Sequence, residues 1–162
     1  MAVQKWGQPR VTRDVDITLL TGFGSEKPFV DKLLNQYRGR QNDAAEFARR
    51  ARVLLLASAS GIGIDVSLGA LPFEELVVSR ATAYSFGSGL ELRTCSAEDL
   101  MEMKLFASRA IDIRDAEGIA VRHSLTLDWQ YVEDQLTPLA EAKEEPEILA
   151  QFARVRIMGS NL

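Results

Sequence analysis

The sequence predicts a mixed α/β core followed by a run of helices. Three observations carry that prediction. Up to about residue 95, short strand-patterned runs alternate with helical ones. From Ser96 onward the apolar spacing is helical only. The two clearest strands, "DVDITLL" and "GIDVSLG", each carry aspartate on one face and aliphatic side chains on the other. The expected organisation is an α/β (α+β) core over 1–95, a mixed twisted sheet flanked by helices. A C-terminal helical region over 96–162 packs on it.

Taken in order, "MAVQKWGQPR" reads as a helical turn running into a Gly-Gln-Pro turn. In "DVDITLL" the side chains of Val15, Ile17 and Leu19 share one face, and Asp14, Asp16 and Thr18 the other. "GFGSEK" is a loop with Ser25 as the expected helix N-cap and Pro28 tolerated in the first turn. The following helix carries Phe29, Leu33, Leu34 and Tyr37 and is expected to end near Gly39. "DAAEFARRA" is a short helix and "RVLLLAS" a strand. "IGIDVSLG" is a second strand, with Ile62, Ile64, Val66 and Leu68 opposite Gly63, Asp65 and Ser67. "PFEELVVSRA" begins with a turn and can form a short helix, and "TAYSFGSGLELRTC" is a hairpin.

The helical region opens at Ser96, an N-cap with Asp99 at the third position, a variant of the capping box. Leu100, Met103 and Ala107 form its expected apolar stripe. Further helices are expected over 112–123, from about Leu127 with Trp129, Val132 and Leu136 inward, and after Pro146.

Bulk properties exclude several function classes. A formal net charge of −4 (19 basic against 23 acidic residues) gives no general affinity for nucleic acid, so an RNA partner would need a local basic patch. A lone cysteine, Cys95, cannot make an internal disulfide, and no run approaches a membrane span or a signal-peptide core. The expectation is a cytoplasmic chain that does not enter a membrane. With His123 the only histidine, a zinc site or a histidine relay lacks material. Cys95 and Trp129 read as packed residues. Trp6 reads as core, with stacking on a base as its functional alternative.

The aspartates carry the chemistry. Residues two apart on a strand point the same way, roughly 6–7 Å apart, so Asp14 and Asp16 converge on one side. Two carboxylates so placed repel unless something compensates them. A hard divalent cation does so, because Mg²⁺ prefers carboxylate oxygens together with substrate phosphates. Asp65 repeats the pattern. If its strand neighbours the first, three carboxylates share one face, as two-metal phosphoryl or nucleotidyl transfer needs. The plain alternative is a solvated sheet face bearing surface acids.

"PRVTRDVDITL", "GIDVSLG" and "SAEDLMEMKLFASRAIDIRD", in that order, resemble the nucleotidyltransferase superfamily, in the bacterial AbiEii-type branch of toxin–antitoxin systems. The resemblance spans about residues 2–135. Its Arg-x-Thr-x-Asp-hydrophobic-Asp pattern is matched by Arg10, Thr12, Asp14 and Asp16, and its third acid by Asp65. Its Leu-x-x-x-Lys-x-x-Ala helix, basic residue and Asp-x-x-Asp are matched by Leu100, Lys104, Ala107, Arg109, Asp112 and Asp115. The resemblance implies metal-dependent transfer of a nucleotide from a nucleoside triphosphate to a hydroxyl acceptor. Asp14, Asp16 and Asp65 would be both the catalytic acids and the ligands of Mg²⁺ or Mn²⁺. It implies that Lys104, Arg10, Thr12 and Arg13 bind substrate, with Lys104 on the phosphates. Arg109, Asp112 and Asp115 fit a structural charge network better. The implied partners are the nucleoside triphosphate, an acceptor that could be RNA, and an antitoxin protein.

Members of that family carry a Gly-Gly or Gly-Ser pair ahead of the helix that here begins Met1-Ala2-Val3. Reading the chain as starting after that turn leaves a second expectation open: a nucleotide- or protein-binding module of the same fold without turnover. A correspondingly shortened sheet would expose an edge to a second copy, giving a homodimer. "DVDIT" also matches the D-x-D-x-T of haloacid-dehalogenase phosphatases. There the motif follows an apolar strand, whereas here the apolar residues come after it.

Overall fold

The computed structural model describes residues 1–12, 14–87 and 89–160. In chain order the first elements are α1 (Ala2–Trp6), β1 (Asp14–Leu20), α2 (Lys27–Leu34), β2 (Arg38–Gly39), α3 (Ala44–Ala51), β3 (Val53–Ala57) and β4 (Gly63–Gly69). Then come α4 (Pro72–Arg80), β5 (Thr82–Ser85), β6 (Glu91–Thr94), α5 (Ala97–Ala107), α6 (Ala110–His123), α7 (Trp129–Lys143) and α8 (Glu147–Ser160). The fold is mixed α/β, as the strand and helix periods predict. The chain forms two compact units, one of Met1 and Val11–Ser79, the other of Ala2–Arg10 and Arg80–Leu162.

In the first unit four strands form a mixed sheet in the order β1-β4-β3-β2. β1 runs parallel to β4, and β4–β3 and β3–β2 are antiparallel. β1 is thus an edge, bonded through one side only among the described residues. Leu54, Leu56, Val66 and Leu68 are buried with Val30 of α2 and Ala48 of α3, and Leu19, Leu33, Leu34, Tyr37, Ala44 and Ile64 pack around them. Two helices therefore cover the aliphatic face of the sheet. Strand alternation sends Asp14, Asp16, Thr18, Asp65 and Ser67 to the opposite face.

Two local expectations for α2 are corrected. Its N-cap is Glu26, with no side-chain cap bond, so Ser25 does not cap it; Pro28 does lie in the first turn. The helix ends at Leu34, short of Gly39, because Arg38 and Gly39 are drawn into pairing with Ala57 and Leu56. Tyr37 still reaches the core, from beyond the helix end. The αL conformation of Arg52 (φ 56°) turns α3 sharply into β3.

In the second unit α5, α6, α7 and α8 enclose a core that includes Leu100, Met101, Leu105, Ile119, Val132, Leu136, Ile148 and Phe152. Ser96 caps α5 as predicted: its hydroxyl accepts the Asp99 N–H at 3.1 Å. The inward stripe is shifted, however. Met101 and Leu105 are fully buried, while Met103 and Ala107 are half-buried. α1 packs on α5 and α6, and Trp6 Nε1–H donates to the Cys95 carbonyl at 2.8 Å. Gly118 permits that approach, since a Cβ there would lie 3.3 Å from the Gln8 backbone nitrogen. No helix among the described residues is long and apolar enough to cross a membrane.

Candidate active site

The acids of the first unit meet through strand register. β1 and β4 are parallel neighbours with Asp16 opposite Asp65 and Asp14 opposite Gly63. Register partners on parallel strands project to the same side, about 4.8 Å apart along the hydrogen-bonding direction. Asp14, Asp16 and Asp65 therefore occupy one sheet face.

Asp65 is half-buried. Burial raises its pKa; the charge of Arg40 opposes this, and Asp16 and then Asp14 reinforce it. Arg40 donates through Nη2 to Asp65 Oδ1. Its own N–H bonds the Leu55 carbonyl at 2.9 Å, which fixes the arginine just beyond β2. From there the side chain crosses the sheet to β4. Gly63 leaves it room: a Cβ at that position would meet Arg40 Nη1 and Asp14 Cβ, each at 3.3 Å. Sequence reading missed Arg40. Its signal was faint, a glycine facing an aspartate across two strands.

Three carboxylates without a sulfur or imidazole suit a hard divalent cation in donor chemistry. Their present rotamers do not gather around a point. Among the described residues no three His, Cys, Asp or Glu side chains are grouped to hold an ion. Asp65 instead directs its oxygen at Arg40. The face suits a cation by composition, and Arg40 competes with it for Asp65.

The other expected site residues are distributed differently. Thr12 lies half-buried in the irregular segment before β1. Arg13 lies outside the described residues. Arg10 and Lys104 belong to the second unit, where both engage carboxylates. Arg10 grips Asp115 with two bonds, of 2.9 and 2.8 Å. Lys104 Nζ lies 2.8 Å from Asp112 Oδ1 and 3.1 Å from Asp115 Oδ2. Arg109 also pairs with Asp112. Burial opposes ionisation of both aspartates, but hydrogen bonds from Arg109 and Lys104 to Asp112, and from Arg10 and Lys104 to Asp115, outweigh it. Both carboxyls end below the usual range. The expected network of Arg109, Asp112 and Asp115 thus also takes in Lys104 and Arg10, which the resemblance had placed on substrate.

Of the remaining candidates, His123 meets the Trp6 ring edge-on at 5.5 Å. Burial, then the charge of Asp99, pushes the Cys95 thiol up to about 11, which leaves it a packed thiol. A groove of about 510 Å³ lined by Leu34, Gly39, Asn42, Asp43 and Glu46 among others lies at the start of α3. It offers a phosphate two acids and no cation. Comparison of the chain with protein-family models and with curated proteins gives no match.

Proposed function

We propose that the first unit carries a metal-dependent nucleotidyl transfer site, moving a nucleoside monophosphate from a nucleoside triphosphate to a hydroxyl. The observation that supports this reading is the register of Asp16 against Asp65, with Asp14 beside them on the same face. Asp14 and Asp16 would hold Mg²⁺ or Mn²⁺, which supplies charge neutralisation on the phosphates and activation of the attacking oxygen. Asp65 would complete one of the metal sites and orient the acceptor hydroxyl. That oxygen bonds to the α-phosphorus, the bond to the β-phosphate breaks, and pyrophosphate leaves as the hydroxyl proton passes to solvent. The resemblance makes an RNA hydroxyl the first acceptor to try. Lys104 and Arg10 are left out of the mechanism because Asp112 and Asp115 already engage them.

The pairing of Arg40 with Asp65 favours a second reading, a nucleotide- or protein-binding module that performs no transfer. One experiment separates the two. Each of the four α-labelled nucleoside triphosphates is incubated with Mn²⁺, total RNA and the protein, and label transfer and pyrophosphate are followed. Transfer lost at least a hundredfold in Asp14→Asn and Asp16→Asn is the expected result. Label transfer that is absent in wild type, or undiminished in both variants, would refute the enzyme reading. Nucleotide binding without transfer would favour the module.

A further inference from the structure

The interior of the second unit holds a carboxylate that no cation among the described residues answers. Glu102, in the middle of α5, is 0 % exposed, and both its oxygens are buried without a hydrogen-bond partner among the described residues. One turn earlier Asp99 is also 0 % exposed. Asp99 is well provided for. It accepts from the Tyr131 hydroxyl at 2.7 Å and from Arg80 Nε at 3.3 Å. Arg80, the cation of this cluster, divides itself between Asp99 and Glu98 and lies 4.1 Å over the Tyr131 ring.

The groups on the neighbouring elements leave Glu102 unanswered. From α7, Tyr131 feels the charge of Glu102 but donates its hydroxyl hydrogen bond to Asp99. On α6, Asp112 and Asp115 face Lys104 and the arginines, and His123 packs on Trp6, its buried Nε2 without a hydrogen-bond partner among the described residues. On α8, Glu147 and Arg154 pair with each other, and Arg156 reaches Glu133 of α7. On α1, Lys5 bonds Thr82. An ionised Glu102 would thus sit in a low-dielectric interior beside a second carboxylate.

We propose that Glu102 is a proton-operated switch in the helical unit: with its proton it stays inside, and without it the packing of α5 against α6 and α7 loosens. Burial, reinforced by Asp99, raises the Glu102 carboxyl to about 8, so the switch works near and above neutrality. A group whose folded pKa is raised contributes stability that is complete below its unfolded pKa. That contribution is lost as pH rises through the folded one. The device is independent of the chemistry proposed for the first unit.

The chain offers a selective probe, because both tryptophans, Trp6 and Trp129, lie in the second unit. Tryptophan-fluorescence melting of the full chain is followed from pH 5 to pH 9 for wild type and Glu102→Gln. The wild-type midpoint falls by roughly 10 °C over that range relative to the variant. Parallel profiles would overturn the proposal. Because Glu102→Gln can fail to fold, the carboxyl carbons of the wild-type protein are also titrated by carbon-13 NMR. One glutamate with a midpoint near 8 supports the switch, and a set that all titrate below about pH 6 sinks it.

Discussion

At the residue scale, Arg40 decides the state of the acid face. A guanidinium on Asp65 does part of what a cation would do, and the two compete for one carboxylate. A pair about one-third exposed is worth a modest amount, so the competition is a bias and not a block. Replacing Arg40 by Gln removes the competitor and leaves the backbone bond to Leu55 in place. Mn²⁺ affinity, read by the electron paramagnetic resonance of the free ion, should rise about tenfold in Arg40→Gln. Arg40→Lys should stay near wild type, since the charge remains. Equal affinity in all three would remove Arg40 from the metal's competition. Absence of Mn²⁺ binding in all three would instead remove the metal.

At the element scale, capping marks where α5 begins and ends. α5 begins where Ser96 offers its hydroxyl to the Asp99 N–H, and it stops at Ser108, whose φ of 58° is left-handed. Ser96→Ala should lower stability by about 1 kcal/mol in urea unfolding followed by tryptophan fluorescence, and Ser96→Asn should recover most of it. A loss under a few tenths would mean that packing alone positions α5. The end of α2 teaches the opposite lesson. Apolar spacing through Tyr37 suggested a longer helix, but pairing of Arg38 and Gly39 with β3 takes the backbone away after Leu34.

At the scale of the whole molecule, two oppositely shifted sets of buried acids shape the pH response of the second unit. Asp112 and Asp115 have lowered pKa values, so their contribution exists above the unfolded value near 3.9 and disappears as pH falls through the folded values. Glu102 acts in the other sense and weakens the unit as pH rises towards about 8. Melting midpoints should therefore pass through a maximum at about pH 4–5, acid of the usual range. In Glu102→Gln the alkaline limb should flatten and the acid limb should remain. A wild-type maximum at pH 7 or above would contradict these opposed shifts.

Much of this was legible in the sequence. Period-two alternation fixed the faces of β1 and β4, and the Ser-x-x-Asp pattern located the start of α5; spacing did not show that α1 and the β5–β6 hairpin belong to the second unit with the helices. A charge network of Arg109, Asp112 and Asp115 was legible, whereas the capture of Lys104 and Arg10 by those aspartates was not, since both were expected on substrate. Arg40 and Glu102 were not legible. Each looks like an ordinary surface residue in its local pattern, and each owes its role to neighbours distant in the chain or fully enclosing it. Local sequence determines which residues share a face, because that depends on backbone geometry over a few residues. Which charges meet, and which are left unanswered, only tertiary structure decides, because burial and opposite charge are properties of the surroundings and not of the residue.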